Sequence, residues 1–171
     1  MTKLGLMTFW LTLFAIFPVH AAGKADEKRL DEIAERGAHV MPFDLGKTTH
    51  IFTQTPNGGV QQVIAKNKSD TGQINSIRAH LSEIYNEFKQ GNFSNPEKIH
   101  GKDMPGLAEL KAAQPEQIKF EYEELPDGAQ ITYSTKVEEL KRAIHQWFEA
   151  QLSDHARHAV PGHSHHPMHH Q

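Results

Sequence analysis

The chain has 171 residues and a formal net charge of −3, from 18 Lys and Arg against 21 Asp and Glu. A weakly acidic chain without clustered basic residues cannot neutralise a nucleic-acid backbone, so nucleic acid is excluded as a partner. The chain has no cysteine, which excludes disulfides and thiolate metal ligands, while its 13 histidines are an unusually large number.

The first 21 residues have the three parts of a secretory signal peptide. Lys3 provides a positive start, residues 4–17 form an uncharged apolar run, and Val19 and Ala21 are the small residues that cleavage requires. The apolar run has about 14 residues, fewer than the roughly 20 that a membrane-spanning helix needs. We therefore expect cleavage after Ala21, export to the periplasm and no membrane span in the mature protein.

The first half of the mature chain predicts a helix, a hairpin and a second helix. Residues 24–36 form a charged amphipathic helix that ends at Gly37. Strands over residues 48–55 and 60–66 are joined by Pro56-Asn57-Gly58-Gly59, and Asn-Gly between such runs is a strong hairpin signal. A helix follows to about residue 90, because Asp70 with Gln73 resembles a capping box and apolar residues recur at helical spacing.

The second half repeats this order. Alternating strands flank the turn Pro126-Asp127-Gly128, which aligns with Pro56-Asn57-Gly58, and Thr135 with Glu138 resembles a capping box for a helix to about residue 152. The apolar positions of the two helices align without a gap. A duplicated ββα unit predicts an α+β fold, with a four-stranded antiparallel sheet and two helices on one face.

The predicted organisation is a signal peptide (1–21), a single domain (22–156) and a disordered His-rich tail (157–171). Imidazoles in the tail suit zinc and copper, and the Met168 thioether adds a preference for Cu(I). The alternative is a flexible tail that binds metal only incidentally.

Histidines within the domain are candidate ligands, each with a structural alternative. His50 shares a strand face with Phe52 and aligns with Phe120 of the second repeat, so it is either a buried core histidine or a ligand. His80 and His145 lie on the two long helices, at positions that are not equivalent in the two repeats. The alternative to a ligand role is that each histidine lies at the edge of the apolar stripe of its helix.

Two short segments add further candidates. The loop with His100, Asp103 and Met104 brings an imidazole, a carboxylate and a thioether close together, although Asp103 could instead cap a helix that starts near Pro105. His155 and His158 share a face if the last helix continues. The predicted metal ligands are His50, His80, His100, Asp103, Met104, His145, His155 and His158; copper is expected first and zinc second, with no organic cofactor.

Several strings resemble a family of small exported bacterial proteins that carry the automatic label aspartate carbamoyltransferase. They are Met41-Pro42-Phe43-Asp44, Thr49-His50-x-Phe52, Ile99-His100-Gly101, Asp103-Met104-Pro105-Gly106-Leu107, His145-x-Trp147-Phe148 and Ser153-Asp154-His155. The chain lacks the Ser-Thr-Arg-Thr phosphate loop of true carbamoyltransferases, so the resemblance implies no such activity. It does imply that His50, His100, Met104, His145 and His155 belong to one pattern.

The preferred hypothesis is a periplasmic metal-binding protein. A protein-binding module with structural histidines is one alternative, and an exposed apolar patch would favour it. A small enzyme that uses a His/Asp pair at neutral pH is the other.

Overall fold

The protein is described by a computed structural model that covers residues 25–163. The predicted signal peptide and residues 164–171, which include most of the tail histidines, lie outside the described residues. Between residues 25 and 163, no helix combines the length and the apolar character that a membrane span needs.

The fold is α+β, with five α-helices and one five-stranded sheet in the described part of the chain. The helices are α1 (Glu27–Val40), α2 (Thr71–Lys89), α3 (Ser94–His100), α4 (Leu107–Ala112) and α5 (Glu138–Asp154). The strands are β1 (Thr48–Thr55), β2 (Gly58–Ala65), β3 (Lys119–Leu125), β4 (Gly128–Ser134) and β5 (Ala159–Pro161).

The sheet differs from the prediction at one edge. Its order is β3-β4-β2-β1-β5, and β5 pairs with β1 in parallel while the other pairs are antiparallel. The predicted four-stranded antiparallel sheet is therefore wrong in strand number and in its uniform direction. Backbone pairing adds β5, because the amide of His50 donates to the His158 carbonyl (2.8 Å) and the amide of Gly162 donates to the Phe52 carbonyl (2.9 Å).

The ordered strand β5 also lies inside the segment that was predicted to be a disordered tail. Its three residues are too few to show strand periodicity, and the surrounding Pro, Gly and His residues are typical of disorder. The backbone of β1 offered hydrogen-bonding groups at the sheet edge, and the chain after α5 pairs with them.

The internal duplication is visible as a two-fold relation between β2 and β4. Gly58 pairs with Ser134, and Ile64 pairs with Gly128. Replacing each residue of the first pair by its equivalent in the other repeat gives the second pair. The flanking hydrogen bonds are related in the same way: Ala65 N–H donates to Asp127 O (2.8 Å), and Thr135 N–H donates to Asn57 O (2.9 Å).

Both long helices cover the same face of the sheet. Phe148 of α5 contacts Phe52 of β1 (ring centroids 5.2 Å apart), and Tyr133 of β4 contacts both Phe88 of α2 and Trp147 of α5. The other sheet face carries the less buried residues of each strand. The aromatic part of the core thus lies on the helical side of the sheet.

Helix ends follow the sequence signals only in part. In α2 the Asp70 carboxylate accepts a hydrogen bond from Gln73 N–H (3.1 Å), as predicted. The predicted capping box of Thr135 and Glu138 does not form, because Thr135 Oγ1 accepts from Val137 N–H and donates to Gln117 O instead. Helix α1 runs past its expected stop, because Gly37 is buried where Met41 packs against it.

A buried histidine cluster as the candidate functional site

Three buried histidines meet on the helical side of the sheet. His50 comes from β1, His100 is the last residue of α3, and His155 is the C-cap of α5; they are 4%, 4% and 5% exposed. We call these three residues the histidine cluster. Its members are separated by up to 105 positions in the chain, so only the tertiary fold brings them together.

The closest contact in the cluster joins two imidazoles. The Nε2 atoms of His100 and His155 are 3.2 Å apart, and their rings stand nearly perpendicular, with an interplanar angle of 87°. The ring of His50 also packs against that of His155, with centroids 5.3 Å apart. His155 is thus the central member of the cluster.

The carboxylate of Asp154 and the guanidinium of Arg29 fix the position of His100. His100 Nδ1 donates to Asp154 Oδ2 over 2.7 Å. Arg29 of α1 binds both oxygens of Asp154, at 3.1 and 2.7 Å, and also donates to the carbonyl of His100 at 2.8 Å. A bidentate Arg–carboxylate pair fixes orientation as well as charge, so α1, α3 and α5 are joined at this point.

Burial keeps the cluster uncharged at neutral pH. It lowers the pKa of His50 to about 3 and the pKa of His155 well below its usual value. Burial also lowers the pKa of His100, although the hydrogen bond to Asp154 opposes this. For Asp154, burial raises the pKa, but the hydrogen bonds from His100 and Arg29 outweigh it and the net shift is downward. The cluster therefore contains neutral imidazoles beside an ionised carboxylate.

These charge states determine where the protons lie. Because ionised Asp154 can only accept, His100 carries its proton on Nδ1 and has a free lone pair on Nε2. His155 Nε2–H then donates to that lone pair across 3.2 Å. The Nε2 atom of His50 and the Nε1 atom of Trp147 are buried without any hydrogen-bond partner among the described residues.

The cluster borders two spaces, a small cavity and a larger cleft. The cavity has a volume of about 50 Å³ and is bordered by His50, His80, His100 and His155 together with apolar side chains. The cleft is lined by Arg29, Asp103, Met104 and Asp154. His100 borders both spaces.

The other predicted ligands have different surroundings. His80 borders the cavity but packs edge-on against Phe43, with ring centroids 5.6 Å apart. Met104 is buried beside the cleft rather than the cavity, and Asp103 is exposed at the cleft. The pairing of β1 with β5 explains the position of His158, whose carbonyl accepts from His50 N–H.

His145 lies apart from the cluster. Its Nε2 is within hydrogen-bonding distance of two carbonyl oxygens in the first hairpin, Thr55 O at 3.1 Å and Gly58 O at 2.9 Å. This histidine therefore ties α5 to the turn between β1 and β2.

Sequence reasoning gave no role to three residues of the site, Arg29, Trp147 and Gln151, whereas Asp154 was already part of the string Ser153-Asp154-His155. Asp154 precedes His155 directly, and that adjacency was a usable signal for a carboxylate near the cluster. Arg29 could not be identified, because its partner lies 125 positions away. Trp147 and Gln151 have the spacing of an ordinary core stripe.

Among residues 25–163, no three His, Asp or Glu side chains already form a group that could hold a metal ion. No family model, curated protein or solved structure matches the chain. The chemistry of the site must therefore be inferred from its own geometry.

Proposed function

We propose that this protein is exported to the periplasm and binds a transition-metal ion at the histidine cluster. His100 and His155 would supply the first two nitrogen ligands and His50 the third. The observation that carries this proposal is the 3.2 Å distance between two neutral imidazole nitrogens, one of which belongs to a ring oriented by a partly buried carboxylate.

The distance suits a shared metal ion. Zn–N bonds are about 2.0–2.1 Å long, so two nitrogens 3.2 Å apart subtend an angle of about 100° at the metal, which is close to tetrahedral. The Asp154–His100 pair matches the common arrangement in which a metal-bound histidine donates its other N–H to a carboxylate. Arg29 orients that carboxylate in turn.

The protonation states also favour binding. Metal ions need neutral imidazole, and burial already holds the pKa values of all three histidines below their usual range. The metal would take the place of the proton between His100 and His155, and that proton would move to Nδ1 of His155 so that the ring stays neutral. His50 Nε2 has no partner to give up in the described part of the chain, so it would turn towards the ion and complete a set of three.

The imidazole-rich site changes the expected order of metals. Imidazole suits zinc, copper and nickel, whereas Cu(I) prefers thioether or thiolate. Met104 lines the cleft and not the cavity, so the thioether argument for Cu(I) does not apply at the cluster. We propose zinc or Cu(II) as the resident ion, with Met104 placed where an entering ion would pass.

The two alternatives have less support. A docking face should expose large apolar side chains, but in the described part of the chain Val160 alone is of this kind. An enzyme with a His/Asp pair would need an imidazole nitrogen free to face the cleft. Both nitrogens of His100 already have partners, Asp154 and His155.

The test is a metal titration of the full mature chain in which His163, His165, His166, His169 and His170 are each replaced by Asn. This protein should bind one equivalent of Zn(II) or Cu(II) more tightly than micromolar, measured by calorimetry with chelator competition. His155→Asn should abolish that binding, and the exposed His39→Asn should leave it unchanged. Micromolar or weaker binding, or binding that His155→Asn leaves intact, would refute the proposal.

A further inference from the structure

The cavity beside the cluster contains polar groups that the fold does not satisfy. Trp147 is 1% exposed, and within residues 25–163 neither its Nε1–H nor His50 Nε2 has a hydrogen-bond partner. Both residues border the cavity. A buried donor without an acceptor costs about 1–3 kcal/mol, so an occupant that accepts a hydrogen bond would relieve this cost.

Two glutamines add further donors to the same wall. Gln151 lies one helical turn after Trp147 on α5, is 6% exposed and borders the cavity. The Oε1 atom of Gln61 already accepts from Tyr133 Oη at 2.6 Å, which leaves its amide NH₂ as the remaining group. Trp147 Nε1–H and the amide NH₂ of Gln61 are therefore hydrogen-bond donors at this wall, and donors select an acceptor.

The size of the cavity limits what can enter. A water molecule needs about 10–15 Å³ measured in the same way, so a volume of about 50 Å³ accommodates roughly three or four atoms of that size. Phe43, Val63 and Leu81 form apolar walls around it. This free volume suits a ligand of only a few heavy atoms.

We infer that the metal ion at the histidine cluster keeps one open coordination position on the cavity side, which binds a small exchangeable acceptor such as hydroxide or a triatomic anion. Trp147 Nε1–H donates to this ligand, and the cavity restricts it to about three heavy atoms. An open position distinguishes reactive metal sites from closed structural ones. The inference rests on the proposed metal site, and it adds a class of ligand and a positioning residue to it.

The experiment uses the full mature chain with the five tail histidines replaced by Asn, loaded with Co(II), whose visible spectrum reports the ligand set. Azide should shift the spectrum saturably, with one azide per cobalt, whereas benzoate should produce no shift. Trp147→Phe, compared at saturating cobalt, should weaken azide binding about tenfold through loss of one buried hydrogen bond. Tyr122→Phe is the control, because it removes the bond from Tyr122 Oη to Arg78 O, far from the cavity wall.

The other possible results distinguish the open coordination position, the cavity and the metal site itself. If cobalt binds but azide leaves the spectrum unchanged, the open position is refuted and the metal site stands. If benzoate shifts the spectrum as azide does, or if Trp147→Phe binds azide as well as the parent protein, the cavity beside Trp147 is not the ligand site. If no cobalt binds at the cluster, the proposed function fails, and this inference fails with it.

Discussion

At the scale of single residues, Asp154 is the group that organises the site. It accepts hydrogen bonds from His100 and Arg29, and these come from two helices that are distant in sequence. Its ionised state fixes the tautomer of His100 and hence the direction of the lone pair on Nε2. A change to this one side chain should therefore affect the ligand geometry without removing any ligand.

Asp154→Asn should lower the affinity for zinc about 10- to 100-fold, which is the usual effect of losing a carboxylate behind a histidine ligand. An amide can still accept a hydrogen bond, but it carries no charge to favour metal-bound His100. Competition with a chromophoric chelator measures the change. The matched control is Asp103→Asn, since Asp103 is an exposed carboxylate on the same cleft. Equal losses in both variants would contradict the role of Asp154.

His50 should make the stability of the metal-free protein depend on pH. Its pKa is about 3 in the folded protein and about 6.5 when unfolded, so between these values the unfolded chain binds a proton that the folded chain does not. The free energy of unfolding should therefore fall with decreasing pH, by about 1.4 kcal/mol per pH unit for each such histidine.

The variant His50→Phe introduces the residue that the second repeat has at the equivalent position, Phe120. Urea denaturation at pH 7, 6 and 5 should give a shallower loss of stability than in the parent protein, because one of the buried neutral histidines is gone. His80, His100 and His155 remain, so some slope should persist. Identical slopes would show that His50 does not resist protonation in the folded state.

At the scale of elements, the contact between β2 and β4 depends on two glycines at equivalent positions. A Cβ on Gly128 would overlap the carbonyl oxygen of Val63, and a Cβ on Gly58 would overlap that of Tyr133. These clashes are with the backbone of a paired strand, which cannot turn aside as a flexible side chain can.

Gly128→Ala should therefore destabilise the protein by about 2–4 kcal/mol, as overpacking at a rigid site does. The control is Gly72→Ala in the first turn of α2, where the nearest atom to a new Cβ is Asp70 Oδ1 at an ordinary 3.6 Å. That change should be neutral, or stabilising by up to about 1 kcal/mol, because Ala is the better helix former. Thermal denaturation of both variants would separate a steric effect from a general intolerance of alanine.

The elements that could be predicted are those with local signals. The two hairpins followed from alternation and from the turns Pro56-Asn57 and Pro126-Asp127, and α2 followed from Asp70 and its apolar spacing. Strand β5 could not be predicted, because its three residues form only by pairing with β1. For the same reason the sequence could name His50, His100 and His155 as candidates but could not show which of the candidate histidines meet.

At the scale of the whole molecule, the site is assembled from parts outside the duplicated core as well as within it. Arg29 comes from α1, His100 from α3, and β5 holds the chain beyond His155 against the sheet. Arg157 adds ion pairs to Glu27 and Asp31 of α1. An ion bound by His50, His100 and His155 would therefore link β1, α3 and α5.

Zinc should stabilise the entire fold, and not only the cluster. At a free concentration of 100 times the dissociation constant, a ligand that binds only the folded state adds about 2.7 kcal/mol to the free energy of unfolding. Calorimetric melting of the chain with Asn at the five tail positions should show a melting temperature that rises with zinc concentration. His155→Asn should melt at the same temperature with and without zinc, and a rise in that variant would place the ion elsewhere.

The paired edges of β2 and β4 have a further consequence. The edge of β2 pairs with the edge of β4, its equivalent strand in the other repeat. An isolated ββα unit would therefore carry a self-complementary surface and could associate with an identical chain as an isologous dimer. Joining the two copies in one polypeptide makes their encounter independent of protein concentration. It also allows the two copies to differ in sequence, so that one repeat has Phe120 at the position where the other has His50.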